Sequence, residues 1–123
     1  MKTIVIVGGS KGIGNGVLVQ QLENYKVINI SRTAPDITHS NLIHFAVDVL
    51  RDALPEFESI DALVYCPGSI NLKPILGLSL DDFRKDFEIN VMGVKFKLLI
   101  SEDAASMSGQ IFAMDYGLVS FKL

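Results

Sequence analysis

The sequence predicts an α/β domain: a doubly wound parallel sheet of about five strands, with helices covering both faces. Three observations support this prediction. Apolar, β-branched runs such as Thr3–Val7 are continuous, as in strands that are buried on both faces. A glycine-rich turn follows this first run, and apolar residues at helical spacing follow the turn. The length of 123 residues is that of a single domain with a real core.

Composition and charge exclude several classes of partner. The chain is 49% hydrophobic and has a formal net charge of −3. Its mean hydropathy of +0.36 is high for a short chain, and buried parallel strands account for much of it. Lysines and arginines are scattered, so no basic stripe indicates nucleic acid and no polybasic run indicates a membrane surface. No apolar stretch is long enough to span a bilayer.

Cysteine and histidine usage predicts neither a disulfide nor a metal site. The single cysteine, Cys66, excludes an internal disulfide and favours a reducing, cytoplasmic environment. His39 and His44 lie far from Cys66 and lack the spacing of metal ligands. The apolar run at the N-terminus is too short for a signal peptide, because Gly8 interrupts it.

The turn at residues 7–14, Val-Gly-Gly-Ser-Lys-Gly-Ile-Gly, is the strongest functional signal. Glycines let a ligand approach the backbone, and the N-terminus of the following helix favours a phosphate. The pattern is neither Gly-x-Gly-x-x-Gly nor a P-loop. A tight strand-to-helix connection without a ligand is the alternative. The predicted phosphate-binding residues are Gly8, Ser10, Lys11, Gly12, Ile13 and Gly14, and the predicted apolar stripe of the helix is Ile13, Val17, Leu18, Leu22 and Tyr25.

The end of the second predicted strand, residues 26–30, suggests which cofactor is preferred. In dinucleotide-binding folds an acid at this point favours NAD, whereas a nearby arginine accommodates the 2′-phosphate of NADP. This chain has Ser31 and Arg32 there, with Lys11 available across the turn. We therefore expect NADP(H) to bind and NAD(H) to bind more weakly. The alternative is that Arg32 is an ordinary surface arginine.

The remaining elements follow in order along the chain. A third strand is predicted over 42–49, and Leu50, Leu54 and Phe57 predict a short helix that is interrupted near Pro55. A fourth strand is predicted over 60–65. Ser79 is the expected N-cap of a helix running from about residue 81 to residue 100. The expected apolar face of this helix is formed by Leu80, Phe83, Phe87 and Val91.

The stretch Gly-Gly-Ser-Lys-Gly-Ile-Gly resembles the cofactor loop of the short-chain dehydrogenase/reductase family, although that family usually has Thr where this chain has Val7. The resemblance implies a Rossmann-like fold. It also implies that Asp48 and Val49 meet the adenine ring and that Gly68 lies beneath the cofactor. Asn90, within Asn-Val-Met-Gly, matches an asparagine of the family's catalytic tetrad. The alternatives are that Asp48 caps the next segment and that Asn90 caps a helix kink.

The family's remaining catalytic residues are absent from this sequence. The three tyrosines Tyr25, Tyr65 and Tyr116 are followed four positions later by Asn or Ser, so no Tyr-x-x-x-Lys exists. Residues from about 94 onward instead resemble the family's last strand and its Asp-Gly-Gly end. The resemblance therefore implies an internally shortened chain, with Asn90 as a remnant of the tetrad.

These observations predict a dinucleotide-binding module that favours NADP(H) and lacks the catalytic Ser and Tyr-x-x-x-Lys. The alternatives are an active oxidoreductase on an alcohol or carbonyl substrate, and a cofactor-free scaffold made by deletion. The resemblance implies the order 3-2-1-4 for the first four strands. A right-handed crossover then places a fifth strand, at residues 111–114, in parallel beside the fourth, which gives the order 3-2-1-4-5. Its apolar edge predicts a homodimer or larger assembly, with domain swapping as the main competing arrangement.

Overall fold

The structure, a computed structural model, describes residues 1–93 of the chain. Strands and helices alternate at first, and two short turns flank the second helix. The elements are β1 (Thr3–Val7), α1 (Gly12–Gln21), β2 (Lys26–Ser31), β3 (Leu42–Ala46), β4 (Ala62–Tyr65), a 3₁₀ turn (Ile75–Gly77), α2 (Leu80–Phe87) and a π-helical turn (Glu88–Met92). No helix within residues 1–93 combines the length and apolar character needed to cross a bilayer.

The four described strands form one parallel sheet in the order β3-β2-β1-β4. The central strand β1 places Val5 opposite Ile28 of β2 and opposite Leu63 of β4. The predicted parallel sheet and the predicted order of its first four strands are thus confirmed. The predicted fifth strand at 111–114 lies outside the described residues.

One face of the sheet is covered by α1. Leu18 and Leu22 are buried there against Ile6 and Val27. The predicted apolar stripe of α1 is confirmed at Leu18 and Leu22. It is wrong at Ile13, the first residue of the stripe, because that side chain is 78% exposed. Tyr25 lies beyond the helix, which ends at Gln21, and still packs against this cluster.

The other face of the sheet is covered by the connection between β3 and β4. Leu54 and Phe57 pack on the buried residues Val5 and Ile30, and the rings of Phe45 and Phe57 meet edge to face with centroids 6.5 Å apart. The predicted short helix in this connection is wrong. Residues 48–52 form a hydrogen-bonded turn, and an irregular segment follows. Pro55 explains this, since it supplies no amide proton and restricts the residue before it to extended conformations.

The second helix begins where the sequence predicts. Ser79 and Asp82 form a capping box, in which the Ser79 hydroxyl accepts the Asp82 amide and the Asp82 carboxylate accepts the Ser79 amide. Helix α2 is α-helical to Phe87, and a π-helical turn continues it to Met92. The predicted end of this helix near residue 100 lies outside the described residues. The apolar residues Leu80, Phe83 and Phe87 are 67%, 60% and 43% exposed.

Candidate nucleotide-binding cleft

A cleft of about 930 Å³ lies at the carboxyl edge of the sheet. Its walls are the glycine turn after β1, the end of β2, the turn after β3, the loop after β4 and one side of α2. In open parallel α/β sheets, ligands bind outside the carboxyl ends of the strands. The cleft is therefore the place where this fold offers a ligand site.

Most of the predicted site residues meet in this cleft. The lining includes Gly8, Ser10, Lys11, Ser31, Arg32, Asp48, Val49 and Gly68. Gly12, Ile13 and Gly14 form the first turn of α1 next to it, and none of the three lines the cleft itself. Asn90 also lies outside the lining and contacts Ser69, which does line it.

The glycine turn has a geometry that larger side chains would disturb. Gly8 has a φ of +81°, and a Cβ there would press against the ring of Pro67 at 3.1 Å. A Cβ on Gly14 would collide with the carbonyl oxygen of Gly8. The start of α1 consequently packs directly on the backbone of the turn, and the Gly8 amide donates to the Ile30 carbonyl at 2.8 Å.

The N-terminus of α1 is open to an anion. Its N-cap residue is Lys11, which makes no side-chain capping bond, and the first turn contains no acidic residue. The first amides of a helix have no partner within the helix and carry partial positive charge. Here neither a capping side chain nor a nearby carboxylate satisfies them, so the end of α1 suits a phosphate.

The end of β2 is tied to the glycine turn through hydroxyl groups. The Ser31 hydroxyl donates to the Thr33 carbonyl at 2.8 Å, and the Thr33 hydroxyl contacts the Ser10 hydroxyl at 3.4 Å. Arg32 is exposed and also lines the cleft. This corner therefore presents a cation and hydroxyl groups where an acidic residue would favour a free ribose.

Asp48 organises the turn after β3. Its carboxylate accepts the Leu50 amide at 3.0 Å, and its backbone carbonyl accepts the Asp52 amide at 2.8 Å. The Arg51 side chain is 85% exposed and lies 4.0 Å from the Asp48 carboxylate. Asp48 thus caps a turn. The sequence alternative was that Asp48 caps the next segment, and here that segment is a turn and not a helix.

Two residues at the end of β4, Tyr65 and Cys66, have pKa values that burial raises. The Tyr65 hydroxyl donates to the Ile89 carbonyl at 2.9 Å, and burial raises the pKa of Tyr65 to about 12. Burial also raises the pKa of the Cys66 thiol. A raised pKa leaves less thiolate at neutral pH, which makes the half-buried Cys66 a weaker nucleophile.

Side chains of α2 and of the π-helical turn hold the loop after β4. Asn90 accepts the Ser69 amide at 2.9 Å and donates to the Ser69 carbonyl at 2.7 Å. Asp86 accepts the Ser69 hydroxyl at 2.5 Å and both the backbone and side-chain amides of Asn71 at 3.0 and 3.1 Å. These bonds, that from Ser69 most of all, lower the pKa of Asp86. The catalytic role of Asn90 stays a prediction, and in this structure its side-chain amide is bonded to the Ser69 backbone.

Sequence reasoning missed Asp86 and, more importantly, Asn29. Asn29 is fully buried in β2 and accepts the Gly9 amide at 2.9 Å. The only signal in the sequence was a polar residue within the apolar run Val27–Ile30. Among residues 1–93 there is no group of three or more His, Cys, Asp or Glu side chains arranged for a metal ion.

Comparison with known proteins finds partial relatives of this chain among short-chain dehydrogenases and a reductase. No family model matches the chain. The chain is 30% identical over 126 residues to benzil reductase ((S)-benzoin forming) of Bacillus subtilis strain 168, a match that covers 89% of this chain and 52% of that protein. A short chain dehydrogenase of Leptospira borgpetersenii with bound NAD+ superposes with a TM-score of 0.66 at 18% identity, over 76% of this chain and 41% of that one. ElxO with NADP bound superposes with a TM-score of 0.63 at 24% identity, over 76% of this chain and 46% of that one.

The fold of residues 1–93 is that of the solved short-chain dehydrogenases, and the chain resembles that family. The chain spans about half the length of the proteins that it matches. The resemblance inferred from the glycine turn is thus confirmed. The inferred junction near Gly93 and the tail-like segment after it lie at and beyond the end of the described residues.

Proposed function

We propose that the chain binds a nicotinamide dinucleotide in this cleft, with the pyrophosphate on the glycine turn and the N-terminus of α1. The observation that carries the proposal is the uncapped start of α1, packed through Gly14 on the Gly8 carbonyl and opening into a 930 Å³ cleft. Ser31 and Arg32 lie on the side where the adenosine ribose would sit. Asp48 and Val49 would then face the adenine, and Gly68 would lie toward the nicotinamide.

We further propose that NADP(H) is preferred over NAD(H). Arg32 and Lys11 are exposed cations at the cleft, and the end of β2 offers no carboxylate to a ribose 2′-hydroxyl. An arginine at this position accommodates a 2′-phosphate. The solved relatives include one with NAD+ and one with NADP bound, so this chain's own residues must decide the preference.

Binding without turnover is the form of this function that the residues support best. The sequence has no Tyr-x-x-x-Lys, Tyr65 is hydrogen-bonded to Ile89, and the amide of Asn90 is taken by Ser69. General acid–base catalysis contributes about 10²–10⁴-fold to a rate. Because the Tyr-x-x-x-Lys residues that would exchange the proton are absent, we expect no measurable oxidation of alcohols or reduction of carbonyls. Benzil, the diketone in the name of the Bacillus relative, is one such carbonyl compound.

We also propose that the chain acts as a homodimer or larger homo-oligomer in a reducing, cytoplasmic environment. The support is the exposed apolar surface of α2 and of the segment before it, together with a single cysteine.

A fluorescence titration tests the ligand. NADPH is added to the purified chain and compared with NADH, and the titrations are repeated with Arg32→Asp and with Arg84→Asp. The control makes the same change of charge on α2, outside the cleft. We expect weak but saturable binding, tighter for NADPH. Arg32→Asp should narrow or reverse the preference, and Arg84→Asp should leave it unchanged.

The outcomes separate the candidate functions. No binding of either cofactor at millimolar concentration would favour the cofactor-free scaffold. Consumption of NADPH with a ketone, abolished by Gly14→Val, would establish the oxidoreductase. An unchanged preference in Arg32→Asp would assign Arg32 to the surface and remove the argument for NADP(H).

A further inference from the structure

The side chain of Asn29 joins the glycine turn to the end of β2. Its Oδ1 accepts the Gly9 amide at 2.9 Å, and its Nδ2 donates to the Ser31 hydroxyl at 3.0 Å. A second contact of Nδ2, at 3.0 Å, is with Nδ1 of His44 on β3. This arrangement uses both amide protons and assigns the acceptor role to Nδ1 of His44. Every polar atom of a fully buried side chain is therefore engaged.

The Gly9 peptide is held from both sides. Its amide donates to Asn29, and its carbonyl accepts the Asn15 side chain at 3.2 Å. A Cβ on Gly9 would lie 2.5 Å from Oδ1 of Asn29 and 3.0 Å from Cδ1 of Leu18. Position 9 must therefore be glycine for the buried asparagine to reach the backbone of the turn.

We propose that Asn29 is a positioning residue for the phosphate-binding turn, fixing the Gly9 peptide so that residues 10–12 present their backbone to the ligand. The inference rests on the proposed dinucleotide function. Asn29 reaches two parts of that site at once, because Gly9 precedes the phosphate side and Ser31 lies on the ribose side. In this chain the residue before Gly8 is Val7, which has no hydroxyl to hold the turn, and Asn29 supplies the polar anchor from the neighbouring strand.

The test uses Asn29→Leu, a substitution of similar shape that removes the acceptor for Gly9. The matched control is Asn41→Leu, which removes a bond of 2.8 Å from Asn41 to the Leu22 carbonyl, away from the cleft. Two quantities are measured on the full chain. One is the ratio of hydrogen-exchange rates of the Gly9 and Gly8 amides without ligand, by NMR. The other is the affinity for NADPH.

We expect Asn29→Leu to raise the Gly9-to-Gly8 exchange ratio and to weaken NADPH binding, each on the order of tenfold. Asn41→Leu should change neither quantity, even where it lowers stability. An unchanged exchange ratio in Asn29→Leu would overturn the proposal, and so would a raised ratio with unchanged affinity. If the unmodified chain binds no NADPH, the proposed function fails, and the exchange ratio alone decides whether Asn29 holds the turn.

A second variant covers failure of Asn29→Leu to fold. Asn29→Asp keeps an acceptor for the Gly9 amide, and the His44 ring can donate to the new carboxylate. We expect Gly9 to stay protected and the NADPH affinity to stay within about threefold. Loss of Gly9 protection in this variant would contradict the positioning role.

Discussion

At the residue scale, two glycines of α1 differ in what an added methyl group would meet. A Cβ on Gly14 would collide with the Gly8 carbonyl, whereas a Cβ on Gly16 has nothing within 4 Å. The first position therefore depends on the absence of a side chain, since the helix packs there on the glycine turn. The second is an ordinary helical position occupied by a poor helix former.

We predict opposite effects of alanine at these two positions. Gly14→Ala should destabilise the fold by about 1–3 kcal/mol through overpacking and should abolish NADPH binding. Gly16→Ala should stabilise it by about 1 kcal/mol, because alanine favours the helix, and should leave binding intact. Urea unfolding monitored by circular dichroism measures both. A neutral Gly14→Ala would mean that α1 does not pack on the turn as described.

At the residue scale, local sequence patterns could be interpreted, whereas contacts between residues far apart in the chain could not. The placement of Gly8, Lys11 and Gly14 at the strand-to-helix turn was predictable because it follows from a short local sequence pattern. Asn29 was not, because its partner Gly9 lies 20 positions away and meets it only after β1 and β2 pair. The exposure of Ile13 was equally hidden, since helical spacing alone does not fix where a stripe begins.

At the element scale, α2 is the clearest case of a local signal that specifies structure. Its capping box joins Ser79 to Asp82, and Lys73 donates to the Asp82 carboxylate at 2.9 Å. The Ser79 amide first, and then Lys73 and the Ser79 hydroxyl, lower the pKa of Asp82 from 3.8 to about 2. The short helix expected between β3 and β4 failed for the opposite reason, because packing on the sheet and Pro55 override a weak apolar spacing.

We predict that Asp82 makes stability depend on pH in the acid range. A carboxyl whose pKa is lowered by folding stabilises the native state above its unfolded pKa, and this contribution is lost as pH falls toward the folded value. The loss should therefore fall between about pH 4 and pH 2. In urea unfolding, the stability difference between the unmodified chain and Asp82→Asn should be constant above pH 5 and shrink below pH 4. A difference that grows on acidification would contradict the assigned partners.

At the scale of the whole molecule, the described residues 1–93 cover the sheet unevenly. Strands β1 and β2 are buried almost throughout, whereas every residue of β4 is half-buried. Large apolar side chains also remain exposed beyond β4. They are Ile70, Leu72, Ile75, Leu76, Leu80, Phe83 and Phe87. Apolar surface of this extent on a small domain favours association.

We predict that the chain is not a monomer at high concentration. Light scattering should give at least twice the chain mass of 13.5 kDa, because association would remove exposed apolar side chains from water. Substituting Phe83 and Phe87 together by Lys should lower the measured mass if α2 takes part, with Lys substituted for the exposed Val19 of α1 as the control. A monomer at every concentration would refute the predicted assembly.

The order of the first four strands could be predicted because the resemblance to the short-chain dehydrogenase/reductase family implies it. The placement of residues 111–114 beside β4 rests instead on the fixed hand of parallel crossovers and stays a prediction, since that segment lies outside the described residues. What the sequence did not reveal at this scale is the second cover of the sheet, which an irregular connection supplies in place of a helix.

The central claim is that the cleft at the carboxyl edge of the sheet holds a dinucleotide, and an NMR titration of the ¹⁵N-labelled chain with NADP+ tests it most directly. The account predicts saturable shifts concentrated on the amides of Gly8–Gly14, Ser31–Thr33, Asp48–Val49 and Gly68, larger than the shifts caused by NAD+ at equal concentration. The amides of the 3₁₀ turn at Ile75–Gly77, which does not line the cleft, serve as the internal control. Shifts confined to residues outside the cleft, or none at millimolar NADP+, would contradict the account.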